Sequence, residues 1–225
     1  MKIGIVGLPS SGKTTLFNVI AGDLRETKGQ ILLFDVDITK KPVRKRVGIG
    51  LRRTYQKSAL FSSLTVAQNL YLSVAGLKGG CYNMIRKVGK EPDNWKRIGK
   101  VAETIGLGEK LDVPTRNLSH GEQRQLEFGM AIAYEPRLVM FDEPASGLSP
   151  EERKMLVNLL KTLPAEVTLL LIEHDMEVAF SVAERVVVLH EGCIVSEGSP
   201  EKVSVDPLVQ EIYLGGRVDE SNPRY

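Results

Sequence analysis

The chain opens Met1-Lys-Ile-Gly-Ile-Val-Gly-Leu-Pro-Ser-Ser-Gly-Lys-Thr-Thr-Leu16, and no other stretch limits the fold so tightly. Ile3 to Val6 is a short apolar run of the kind buried inside a parallel sheet. A glycine turn follows, Gly7-Leu8-Pro9-Ser10-Ser11-Gly12-Lys13-Thr14. A helix opens at Lys13 and runs on through Thr15, Leu16, Phe17, Val19 and Ile20. Glycines at this spacing between a strand and a helix form a phosphate-binding P-loop. Its backbone N–H groups curl round a phosphate chain, and the helix N-terminus adds partial positive charge. Gly7 and Gly12 supply conformations and close approaches that a Cβ would block. Lys13 is predicted to reach the β- and γ-phosphates and Thr14 to hold Mg²⁺. The phosphate-contacting set is therefore Gly7, Leu8, Pro9, Ser10, Ser11, Gly12, Lys13, Thr14 and Thr15.

The remaining segments say what is done with the phosphate. Apolar runs at Arg137–Phe141 and Val167–Ile172 read as two more buried strands, each followed by a helix. Strands alternating with helices predict an α/β core with a parallel sheet. Ligands bind beyond the C-terminal ends of such strands. At those ends stand Gly7, then Asp142-Glu143-Pro144, then Glu173-His174-Asp175. Asp142 can orient Mg²⁺, and Glu143 can take a proton from an attacking water. His174 directly after a buried strand reads as a functional histidine.

Other stretches organise the chain. Gln30–Asp35 reads as a strand, with Ile38 continuing it, and Val47–Leu51 as another. Lys40–Lys57 carries basic but no acidic residues and reads as a solvated face, with an anionic membrane surface as the alternative. Thr65 is a predicted N-cap with Gln68 three residues on. Residues 66–118 read as a helical insert in which Trp95 packs. Ser119 opens a helix, and Ser149 or Pro150 opens another. Arg185–Leu189 and Cys193–Ser196 pair around Glu191-Gly192, and Pro200–Gly215 looks helical. At 225 residues, 42% hydrophobic and net charge +2, nothing in the balance suggests bulk nucleic-acid binding. Cys81 and Cys193 match no disulfide framework, so both are expected as free thiols in a reducing compartment. No signal peptide or membrane-length apolar run is visible, so the chain is predicted to be soluble and to meet a membrane only through a partner.

Five motifs in order resemble an ABC-transporter ATP-binding subunit: Gly7–Thr14, Gln56, Leu118-Ser-His-Gly-Glu122, Leu138-Val-Met-Phe-Asp142-Glu143 and His174. Ser146-Gly-Leu-Ser149 falls where the family has its D-loop. The resemblance implies an α/β P-loop NTPase with a parallel-sheet core and an inserted helical subdomain. It implies one ATPase domain over residues 1–225, with a core from 1–65 and 119–225 and a helical signature subdomain at 66–118. Its cofactors would be ATP and Mg²⁺. Thr14, Gln56 and Asp142 would hold the metal, Glu143 would be the general base, and Gln56 and His174 would assist. Ser119, Gly121 and Glu122 would face the γ-phosphate of ATP held by a second ABC ATPase subunit. A further partner would be an integral membrane permease, placing the chain in the cytoplasm at the inner face of the membrane. Ser58–Phe61 would lie at that docking groove.

Thr54-Tyr-Gln-Lys57, Leu118–Glu127, Ile172–Met176 and Glu211–Gly215 are similar to branched-chain amino-acid importers. Urea and lipopolysaccharide-export ATPases share parts of this set. Two features depart from the family. Met1 stands directly before the P-loop strand, where ABC subunits carry a longer segment with an adenine-stacking aromatic. The antiparallel N-terminal subdomain is then expected to be incomplete, with an exposed edge around Ile31–Phe34 and weaker ATP binding. Stacking on a base is worth about 1–3 kcal/mol. Ser10 stands where the family has glycine, and with the opening residues this resembles an Obg-type GTPase. That alternative requires Asp-x-x-Gly and Asn-Lys-x-Asp, which the chain lacks. A non-hydrolysing, ATP-gated interaction module is the other alternative.

Overall fold

The computed structural model describes residues 1–54, 60–75 and 92–214. The elements in chain order are β1 (Lys2–Val6), α1 (Lys13–Ala21), β2 (Leu32–Leu33), β3 (Val36–Asp37), α2 (Val43–Gly48), β4 (Leu51–Arg53) and α3 (Val66–Ala75). They continue with α4 (Pro92–Thr104), α5 (His120–Ile132), β5 (Leu138–Asp142), α6 (Pro150–Lys161), β6 (Thr168–Glu173) and α7 (Met176–Val182). The last are β7 (Arg185–His190), β8 (Cys193–Gly198), α8 (Pro200–Ser204) and α9 (Pro207–Leu214). Two units form. One takes Met1–Val47, Met140–Ala145 and the chain from Thr168; the other takes Gly48–Val139 and Ser146–Val167.

In the first unit β1 is flanked on both sides by parallel strands. Val6 stands opposite Glu173 of β6 and Val188 of β7. A strand covered this way reads as a continuous apolar run, as Ile3–Val6 does. Helix α7 packs on it so closely that a Cβ at Gly4 would meet the Cβ of Ala183 at 3.1 Å. The end of β5 lies beyond β6, and β8 closes the other side antiparallel to β7. Glu191 and Gly192 turn that hairpin at φ 46° and 82°. The sheet is thus mostly parallel, as expected.

Three local expectations change. Gln30–Asp35 is not one strand. Phe34 and Asp35 take φ 51° and 64° and fold the stretch into the hairpin β2–β3. Its outward residues Leu32 and Val36 are 62% and 38% exposed. Val47–Leu51 is not a strand either: α2 covers Val43–Gly48, and only after Gly50 (φ 104°) does β4 begin. The C-terminal helix is two helices, because Pro207 has no N–H to continue α8 and starts α9 instead.

The second unit packs α3, α4 and α5 together. Thr65 and Gln68 form the predicted reciprocal cap, with hydrogen bonds of 2.9 and 3.2 Å. Trp95 stacks on Tyr71 at 5.7 Å, a packing role. A Cβ on Gly129 would lie 2.7 Å from Ile105, so glycine there lets α5 approach its neighbour. Among the described residues no helix is long and apolar enough to cross a membrane.

The basic stretch is not wholly a solvated face. Arg46 of α2 is 2% exposed. Its guanidinium donates to the carbonyls of Val19, Ile20, Thr39 and Lys41 at 2.6–2.9 Å. Val19 and Ile20 end α1, so a cation caps the negative end of the P-loop helix. A planar fork with several donors does this; an ammonium does not. Arg46→Met would leave these carbonyls without a partner, at a cost of about 3 kcal/mol. Urea unfolding is expected to show that loss, and Arg46→Lys to recover less than half of it.

Candidate functional site

The P-loop follows β1 as predicted. Ser10 and Gly12 take φ 68° and 94°, and the Ser11 N–H donates to the Leu8 carbonyl at 3.2 Å. A Cβ on Gly7 would lie 2.4 Å from the Leu189 carbonyl, which explains the glycine. Ser10 bears a left-handed conformation that glycine would adopt freely. Lys13 is 5% exposed, and its ammonium donates to the Gly7 carbonyl, the Leu8 carbonyl (2.9 Å) and Ser11 Oγ (3.3 Å). Burial lowers its pKa, while the carboxylates of Glu143, Asp142 and Glu173 oppose that shift. Leu8, Pro9 and Ser10 form the loop's outer part, and Thr14 and Thr15 are exposed on the first turn of α1.

Asp142 ends β5 at 6% exposure, and Glu143 follows in a left-handed turn, φ 48°. The Glu143 N–H donates to the Ile172 carbonyl at 2.9 Å. Its Oε2 lies 3.7 Å from Nδ1 of His174. Asp175 caps α7 through the N–H groups of Glu177 and Val178. The three strand ends of the first unit thus bring Gly7–Thr15, Asp142, Glu143 and His174 together. Gln56, with Ser58 and Ala59, lies outside the described residues.

Thr14 and Asp142 offer a hydroxyl and a carboxylate at this edge. Two oxygen donors suit Mg²⁺, which takes its other ligands from phosphates and water. No cluster of three or more His, Cys, Asp or Glu that could hold a metal by itself occurs among the described residues.

Ser119, Gly121 and Glu122 lie in the second unit. Ser119 Oγ accepts from the Glu122 N–H at 3.2 Å, and Glu122 reaches back to the Ser119 N–H at 2.8 Å. This capping box starts α5, and Lys110 pairs with Glu122. Ser149 and Glu152 build the same box at α6. Glu152 does a second job: its Oε1 accepts the Gly121 N–H at 2.9 Å. Hydrogen bonds, first from the Ser149 N–H, hold the Glu152 carboxyl below the usual range, so an anion already faces the start of α5.

Sequence reasoning singled out neither Glu152 nor Glu173. Ser149-Pro-Glu-Glu152 is a capping-box signature and could have been read. The signal at Glu173 is a carboxylate closing an otherwise apolar buried strand. Glu173 is 0% exposed; its Oε1 accepts the Ala145 N–H at 3.0 Å, and its Oε2 has no partner.

A model of the family described as ABC transporter matches residues 1–146, more than half the chain. The chain belongs to the ABC transporter family. It is 34% identical to the high-affinity branched-chain amino acid transport ATP-binding protein LivG of Escherichia coli (strain K12), over 95% of this chain and 86% of that protein. BraF of Pseudomonas aeruginosa, with the same description, is 32% identical over 95% and 86%. The crystal structure of the ADP conformation of MJ1267, an ATP-binding cassette of an ABC transporter, superposes with a TM-score of 0.83 at 29% identity, covering 95% and 87%.

Burial, ahead of every other cause, pushes the Glu173 carboxyl up to about 7. Its proton is then held more tightly folded than unfolded. The stabilisation is full at pH 4 and is lost as pH rises through 7. Glu173→Gln removes this dependence. In nucleotide-free buffer it is expected to gain roughly 2–3 kcal/mol on wild type between pH 4 and pH 8, read as diverging urea midpoints.

Proposed function

We propose that this chain is the ATP-binding and ATP-hydrolysing subunit of an ABC importer for amino acids, paired with a second ABC ATPase subunit and an integral membrane permease. The observation that carries the ATPase reading is the convergence of Lys13, Asp142, Glu143 and His174 at one edge of one sheet. The branched-chain amino acid transport descriptions of LivG and BraF support the cargo class. Through the permease the chain would sit at the inner face of the membrane.

The backbone amides of Gly7–Thr15 and the Lys13 ammonium would bind the β- and γ-phosphates. Thr14, Asp142 and Gln56 would hold Mg²⁺, which draws charge off the phosphate oxygens when bound. Glu143 would take the proton of the attacking water as its oxygen bonds to the γ-phosphorus. The bond from that phosphorus to the bridging oxygen breaks, and ADP carries away the electron pair. His174 would hold the γ-phosphate with the nitrogen turned away from Glu143.

Ser119, Gly121 and Glu122 would face the ATP of the second subunit. Gly121 N–H already holds the carboxylate of Glu152, so a γ-phosphate arriving there would replace one anion with another. That exchange keeps the helix start satisfied in the open and closed states. Residues 66–118 would act as the helical signature part and carry the motion to the permease.

Glu143→Gln should bind ATP without splitting it. Its solution mass is expected to double with Mg-ATP and to stay monomeric without nucleotide. A monomer in both conditions, folded and nucleotide-bound, would contradict the two-subunit reading.

A further inference from the structure

Glu143 bears the chemistry in a conformation that non-glycine residues rarely hold, φ 48°. Such a turn persists only where its surroundings fix it. The segment Glu143-Pro144-Ala145 has two backbone donors, because Pro144 has none. Both are tied to the end of β6. Glu143 N–H donates to the Ile172 carbonyl at 2.9 Å, and Ala145 N–H donates to Glu173 Oε1 at 3.0 Å. One anchor is backbone and comes with the sheet. The other is a side chain and depends on residue type.

Glu173 also directly precedes His174 in the chain. A single buried residue therefore holds the loop of the general base through its side chain and is joined to the histidine through the backbone. Those two side chains face each other at 3.7 Å. Glu173 itself is fully buried beneath them, so it does not meet the nucleotide.

The geometry points to Glu173 as a positioning residue of the hydrolytic site: its Oε1, by holding the Ala145 N–H, sets where Glu143 stands relative to His174 and to the attacking water. This rests on the ATPase reading above. Ala145 is 4% exposed, so without that acceptor its N–H has no water to turn to, and the Glu143 turn relaxes. Misplacing a catalytic group by about 1 Å costs on the order of 100-fold in rate. Phosphate binding rests on the P-loop and is unaffected.

The test compares wild type, Glu173→Ala and Glu173→Gln in steady-state Mg-ATP hydrolysis, with amide exchange followed at Ala145. Glu173→Ala is expected to lose ~10–100-fold in kcat with KM for ATP within about twofold, and its Ala145 amide to exchange faster while β6 keeps its protection. Glu173→Gln keeps an acceptor oxygen and is expected to retain kcat within about threefold. Wild-type kcat in Glu173→Ala would overturn the inference. So would an equal loss in Glu173→Gln, or an Ala145 amide as protected in Glu173→Ala as in wild type. If Glu173→Ala does not fold, the Glu173→Gln comparison decides alone. A wild type without turnover would sink the ATPase reading instead, and Ala145 exchange would still judge the anchor.

Discussion

The parallel pairing of β1 with β6 and β7 is the constraint on which the site depends. Val6 sits level with Glu173 and Val188. A slip of one residue would turn every side chain of β1 to the opposite face. It would also carry Gly7 away from the Leu189 carbonyl, which leaves no room for a Cβ at that position. Because the register is fixed by burial on both faces, the residues after β1, β5 and β6 emerge together. Lys13 then has Glu143, Asp142 and Glu173 as its electrostatic neighbours, although the sequence separates them by more than a hundred positions.

That neighbourhood explains how a buried lysine and a buried glutamate are tolerated. Burial alone would neutralise both. Lys13 is held by carbonyls and, first among the charges, by the field of Glu143 and Asp142. Glu173 sits with one oxygen unpaired and its proton retained towards neutral pH. The site stores this cost at the point where charge is needed for chemistry, while apolar contacts around Val6, Ala179 and Val186 hold the sheet beneath it.

The parts legible in the sequence were those whose signal is local. The P-loop, the apolar runs of β5 and β6 and the caps at Thr65, Ser119 and Ser149 each announce themselves within a few residues. The hairpin at Phe34-Asp35 was not legible, since a phenylalanine at positive φ carries no turn signature. Arg46 was hidden among lysines and arginines, because nothing in composition separates a buried arginine from its exposed neighbours. Its role appears only when α2 is laid against the end of α1. Glu173 was visible as a residue and silent as a function, since its partner Ala145 lies on another segment. Long-range pairing of this kind leaves no periodic trace.

Everything in the proposed function turns on whether the grouped strand ends make a hydrolytic site. Phosphate release from Mg-ATP by the wild-type protein tests it most directly, with Glu143→Gln as the reference. Steady release by wild type is expected, with a rate lower by at least about 100-fold in Glu143→Gln and ATP bound equally by both. Equal rates in the two proteins, or nucleotide bound by wild type and never cleaved, would contradict it.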